Sequence, residues 1–92
     1  MTIFLFIVVY FEVTGMQTDY ILDTVGKFCP VPIIETASKI KEMNPGETVT
    51  ILSDDEGILS DMPSWCEMTG NEFLGGSQEQ DVYHLYVRKA GV

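Results

Sequence analysis

From Asp19 onward, short apolar runs broken by Gly, Pro and Asp clusters alternate with two longer stretches of helical spacing. Tyr20-Ile21-Leu22, ending in Asp23-Thr24, reads as a first strand. Val25-Gly26-Lys27-Phe28 is a turn, followed by Cys29 and then Pro30 and Pro32. Proline is tolerated in the first turn of a helix, where amide hydrogens lack intrahelical partners. The two prolines therefore start a helix rather than break one. Ile33, Ala37 and Ile40 form its apolar stripe, with Ile34 beside it, and Glu35 and Lys39 stand in the favourable i,i+4 order. Asn44-Pro45-Gly46 stops the helix.

Glu47 to Ser53 reads as a second strand with Val49 and Ile51 on one face. The loop Asp54-Asp55-Glu56-Gly57 carries carboxylates suited to the helix N-terminus that follows. Ile58 to Thr69 is a second helix, in which Pro63 predicts a separate first turn and a firm start near Asp61 or Met62. Gly70-Asn71 ends it. Glu72-Phe73-Leu74 opens a third strand, weakened by Gly75-Gly76, and Gln78 to Asp81 reads as a polar turn. Val82 to Lys89 is the last strand, with Tyr83, Leu85 and Val87 on one face and His84, Tyr86 and Arg88 on the other. The order β-α-β-α-β-β predicts an α/β fold: a two-layer sandwich of one sheet with both helices on one face.

Residues 1–15 stand apart. Ile3 to Phe11 is an unbroken apolar run, too short to span a bilayer as a helix. No Lys or Arg precedes it and no A-x-A-like site follows it, so it makes a weak export signal. It also reads as an added β-strand, or as sequence ahead of a true start at Met16. The last is favoured, because the pattern from residue 16 to 92 forms a complete domain without it.

Charge narrows the function classes. Five Lys and Arg stand against fourteen Asp and Glu, a formal charge of −9. An acidic surface repels phosphate backbones, so direct nucleic-acid binding is not expected. It suits a partner with a basic face, or serves solubility. Two cysteines, Cys29 and Cys66, fall short of a secreted disulfide framework and point to free thiols in the cytoplasm. One histidine, His84, leaves no Cys/His zinc cluster, and neither a metal nor a cofactor is expected.

Cys29 is the candidate working residue. A helix N-terminus bears partial positive charge and can lower a thiol pKa. Pro32 removes one amide from the first turn, so a moderate lowering is expected, with Lys27 adding to it. Cys66, after Trp65 in the second helix, reads as a buried structural thiol, and Trp65 and Met68 as core. His84 reads as structural. Asp54-Asp55-Glu56 lacks the pattern of a calcium loop and reads as a solvated, helix-capping cluster. With no base, metal or cofactor beside it, an exposed thiol is best suited to accepting and handing on a sulfur atom.

These residues resemble the TusA family of SirA-like sulfur carriers, from about Tyr20 to Lys89. The matching pieces are Leu22-Asp23, Gly26, Cys29-Pro30-Val31-Pro32, Asn44-Pro45-Gly46-Glu47, Ser53-Asp54-Asp55, Asp61-Met62-Pro63, Trp65-Cys66 and Gly70-Asn71-Glu72. Asn71 stands where many members have His, and residues 1–15 lie outside the common pattern. The resemblance implies a four-stranded mixed sheet and a persulfide on Cys29, positioned by Gly26, Pro30 and Pro32. It implies a donor that is a cysteine desulfurase or rhodanese-like protein and a sulfur-relay acceptor, serving tRNA thiolation, cofactor sulfuration or other sulfur trafficking. It also makes Asp54, Asp55 and Asp61 candidate partner contacts. Two alternatives stay open on the same fold: a non-catalytic interaction module, and a thiol redox switch.

Overall fold

The computed structural model describes residues 17–91, so the apolar run at 3–11 lies outside the described residues. The elements are β1 (Tyr20–Asp23), α1 (Val31–Glu42), β2 (Thr48–Ser53), α2 (Ile58–Thr69), β3 (Glu72–Glu79) and β4 (Val82–Arg88). They form one four-stranded sheet of order β1-β2-β4-β3. β1 runs parallel to β2, while β4 is antiparallel to both β2 and β3. β3 is therefore parallel to β2. The crossovers through α1 and α2 both advance across the sheet in the same direction. Right-handed connections then place both helices on the same face.

The core lies between that face and the helices. Val49 and Ile51 of β2 and Leu85 and Val87 of β4 meet Ile40 and Met43 at the end of α1 and Ile58, Met62 and Cys66 of α2. The side chains that alternate with them on β4, including His84 and Tyr86, stand on the opposite face of the sheet. Trp65 packs against the core edge, as the sequence predicts, but Met68 does not: it is 80% exposed.

Three expectations for the helices need correction. The buried stripe of α1 is Pro32, Thr36 and Ile40, with Ile34 facing solvent. Thr36 tolerates burial because its hydroxyl donates to the Pro32 carbonyl at 2.8 Å. Glu35 pairs with Lys27 at 2.7 Å rather than with Lys39, which reaches Glu42 instead. α2 is continuous from Ile58 through Pro63. The bond that Pro63 removes is the one to the carbonyl of Leu59, an exposed residue, so the helix keeps its packed face.

The third strand is also longer than the glycines suggest. It runs to Glu79, with a bulge at Leu74 between the Phe73–Val87 and Gly75–Tyr86 pairs. Gly76 is required by proximity, since a Cβ there would lie 2.8 Å from the Leu85 side chain and 3.0 Å from the His84 carbonyl. The turn shrinks to Gln80-Asp81, because Ser77, Gln78 and Glu79 pair with His84, Tyr83 and Val82. Cross-strand pairing here overrides the low strand preference of Gln and Glu.

Ile51 is fully buried at the centre of this core. Ile51→Ala is expected to cost about 2–5 kcal/mol, through lost transfer energy and the cavity left behind. A chemical denaturation curve with an unchanged midpoint would contradict this placement.

Candidate functional site

The parallel pairing of β1 and β2 brings the loops that follow them side by side, at the end of the sheet where both helices begin. The first loop leaves the sheet at Thr24, whose amide and hydroxyl both donate to the Leu52 carbonyl, at 2.8 and 2.6 Å. Gly26 then takes a positive φ of 88°, a conformation costly for residues with a Cβ. Its N–H donates to Asp54 Oδ1 at 3.0 Å. The N–H of Cys29 donates to Asp55 Oδ2 at 2.9 Å, and the other oxygen of Asp55 accepts from Gly57 N–H at 3.1 Å. Two neighbouring carboxylates of one loop thus fix the backbone of the other.

The Cys29–Pro30 peptide bond is cis, Pro30 is the N-cap of α1, and Pro32 lies in its first turn. Cys29 is exposed at the mouth of the helix. Pro32, Ile33, Asp55, Ile58 and Asp61 surround it in a dimple that has no interior space for a small molecule. Close to Cys29 along the chain, Phe28 (73% exposed), Val31 and Ile34 present apolar surface.

The thiol is not isolated from acid or base groups, contrary to the sequence reading. Its S–H donates to Asp61 Oδ2 at 2.7 Å. Asp61 comes from the first turn of α2, a separate helix, so the pairing depends on tertiary structure. The expected lowering of the thiol pKa is also overturned. The hydrogen bond to Asp61 raises it, followed by desolvation and the negative charges of Asp61 and Asp55.

The helix mouth cannot reverse this, because it offers few free amides. Pro30 and Pro32 have none, Val31 N–H donates to the Phe28 carbonyl, and the N–H of Cys29 itself goes to Asp55. Lys27 is engaged by Glu35. Asp55, in contrast, is held below the usual carboxylate range by the N–H groups of Cys29 and Gly57.

The remaining sequence candidates separate cleanly. Cys66 is buried, and burial pushes its thiol up to about 11. Both cysteines are free. Asp54 and Asp55 act on the Cys29 loop, and Asp55 bonds Gly57 rather than closing α2 by a side-chain cap. His84 lies on the helix-free face of the sheet, 3.9 Å from Glu79. Asn71 accepts from Ala90 N–H at 2.8 Å and donates to Thr69 Oγ1 at 2.9 Å, tying the start of β3 to the chain beyond β4. Among the described residues, no group of three His, Cys, Asp or Glu is placed to hold a metal ion. No described helix is long and apolar enough to cross a membrane.

A family model described as Sulfurtransferase TusA matches residues 20–89. The chain is 34% identical over 76 residues to YrkF of Bacillus subtilis, a protein named as a sulfur carrier. That match covers 83% of this chain but spans only 41% of YrkF. Identity is 33% over 69 residues to a protein named as a sulfur carrier from Archaeoglobus fulgidus, covering 75% of this chain and 94% of that one. A protein of Halobacterium salinarum with the same kind of name is 38% identical over 79 residues, 80% of this chain and 98% of its own. The crystal structure of a SirA-like protein from Desulfitobacterium hafniense shares the fold. Its TM-score is 0.64 at 23% identity, over 77% of this chain and 97% of that one. The chain belongs to the TusA family.

Two predictions follow from the geometry of this loop. At neutral pH, iodoacetamide should modify Cys29 more slowly than it modifies an unstructured cysteine peptide, with a titration midpoint above the peptide's, and should leave Cys66 untouched in the folded protein. Peptide mass mapping over a pH series reads both, and a Cys29 midpoint below that of the peptide would refute the assigned direction.

The second concerns Asp55. Its folded pKa lies below its unfolded one, so its contribution is present above the unfolded value and is lost as pH falls through the folded value. Asp55→Ala should accelerate amide exchange at Cys29 and Gly57 at neutral pH. In the wild type, the same loss of protection should appear only below the usual carboxylate range. Hydrogen exchange by NMR checks this, and unchanged exchange in the variant would refute it.

Proposed function

We propose that this TusA-family protein accepts sulfane sulfur as a persulfide on Cys29 and hands it to an acceptor protein. The observation that carries this reading is the placement of Cys29: an exposed thiol in a dimple too shallow for a small substrate, lined by apolar and acidic side chains. A thiol in such a place meets other proteins rather than metabolites. Sulfur exchange needs only an accessible sulfur nucleophile and a leaving thiol on the donor. The names of the relatives from Bacillus, Archaeoglobus and Halobacterium support the carrier role.

In this reading the donor is a cysteine desulfurase or a rhodanese-like protein, and the acceptor is a further member of a sulfur relay. The sulfur then serves tRNA thiolation, cofactor sulfuration or another trafficking route. Residues 16–92 are the working unit. Gly26, Pro30 and Pro32 set the position of the thiol. Asp54, Asp55 and Asp61 offer negative charge to a basic partner face while they hold the loop and the thiol. Two free thiols with no disulfide suit a reducing compartment, and in this reading the protein works in the cytoplasm.

Incubation with a cysteine desulfurase and cysteine, followed by intact mass spectrometry, tests the proposal. One added sulfur atom is expected on the wild type and on Cys66→Ser, and none on Cys29→Ser. The absence of an adduct on every variant, with partner binding that survives Cys29→Ser, would instead identify a non-catalytic interaction module.

A further inference from the structure

We propose that Asp61 is a catalytic residue of this sulfur transfer, taking the proton from Cys29 as sulfur arrives and returning one as sulfur leaves. The inference rests on the carrier reading above and adds the proton chemistry which that reading lacks.

The geometry singles out Asp61 among the charged groups near Cys29. Asp61 Oδ2 lies 2.7 Å from Cys29 Sγ, within the reach required of a general base. Asp55, in the loop before α2, is committed to the backbone N–H groups of Cys29 and Gly57. Asp54 is committed to the N–H of Gly26. Lys27 of the Cys29 loop and Glu35 of α1 are paired with each other. His84 is on the far face of the sheet.

The need for such a group comes from the same surroundings. Two carboxylates beside the sulfur make a free thiolate unfavourable, whether it forms as attacking or as leaving group. In loading, the S–H proton of Cys29 passes to the Asp61 carboxylate. The sulfur electron pair attacks the outer sulfur of a donor persulfide, R–S–S–H. The donor S–S bond breaks, and its electron pair departs on R–S⁻, which takes the proton from Asp61. The products are a Cys29 persulfide and R–SH. One S–S bond replaces another, the persulfide proton travels with the outer sulfur, and nothing is oxidised or reduced overall. In unloading, the acceptor thiol gives its proton to Asp61, and Asp61 protonates Cys29 as it departs.

The test compares two reactions of Cys29 in Asp61→Asn. Glutathione persulfide loads sulfur and releases a thiolate that needs a proton, whereas iodoacetamide releases iodide, which does not. Removing the carboxylate should slow persulfide loading at neutral pH by tenfold or more, the lower range of general acid–base effects. The same variant should be alkylated several-fold faster, because the main cause of the raised thiol pKa is gone. Asp61→Glu should restore part of the loading rate. Asp61→Ser serves as a second variant without a base, and the near-ultraviolet dichroism of Trp65 reports that each variant is folded. Loading that is unchanged, or that rises together with alkylation, would overturn the proposal and leave Asp61 as a mere suppressor of the thiolate. A wild type that takes up sulfur neither from glutathione persulfide nor from a cysteine desulfurase supplied with cysteine would overturn the carrier reading itself, and the role of Asp61 with it; where only the desulfurase loads it, the same variants are compared with that donor.

Discussion

The hydrogen bonds from Gly26 and Cys29 to Asp54 and Asp55 are the constraint on which the site depends. They join the loop after β1 to the loop after β2, two segments that the parallel pairing of those strands brings together. Without them, the stretch between β1 and α1 is a surface turn held mainly by its own local bonds. With them, the amide of Cys29 is fixed to the segment that also starts α2. Asp61 stands four residues beyond Gly57, which Asp55 grips through its other oxygen. One carboxylate therefore ties the thiol-bearing backbone to the helix that brings the thiol its partner.

The electrostatics of Cys29 are a contest between two sources, and the nearer one prevails. A helix N-terminus favours a thiolate through its unpaired amides, so its strength depends on how many remain free. Here prolines occupy two of the positions, and the amides of Cys29 and Val31 are already bonded. The carboxylate of Asp61 is in direct contact with the sulfur, and Asp55 adds a second negative charge nearby. Contact charge outweighs a depleted dipole, and the thiol stays protonated more firmly than an unstructured cysteine.

Much of this was legible in the chain. The two helices, four strands and their order follow from periodicity and from Pro and Gly punctuation. The exposure of Cys29 follows from its place between a turn and two prolines. The burial of Cys66 follows from its neighbours in a helix. The misses have a common physical origin. Asp61 is thirty-two positions from Cys29, and nothing in local spacing brings them together; only the adjacency of the two crossovers does. The same holds for Lys27, which i,i+4 reasoning could not assign to Glu35, and for Ser77 to Glu79, which are strand because β4 lies opposite them. Thr36 faces the core because its hydroxyl has a carbonyl one turn back, a satisfaction that hydropathy does not register. The Asp61-Met62-Pro63 stretch belongs to the family pattern, yet a pattern gives no direction in space.

A protonated resting thiol suits a carrier whose cysteine lies open to solvent. The thiolate is the form that alkylating agents and oxidants attack, so an exposed cysteine with a lowered pKa would be vulnerable between its two encounters. Cys29 has no lid among the described elements, and Phe28 beside it is itself mostly exposed. Its restraint comes instead from Asp61 and Asp55, and that restraint is conditional. A cationic group docked against these carboxylates opposes their charge at the sulfur, by the same Coulombic rule that now raises the thiol pKa. Apolar contact at Phe28, Val31 and Ile34 would exclude water there and strengthen every charge interaction in the interface. The features that keep the thiol quiet in solution are thus those that a basic, apolar-faced partner is best equipped to change.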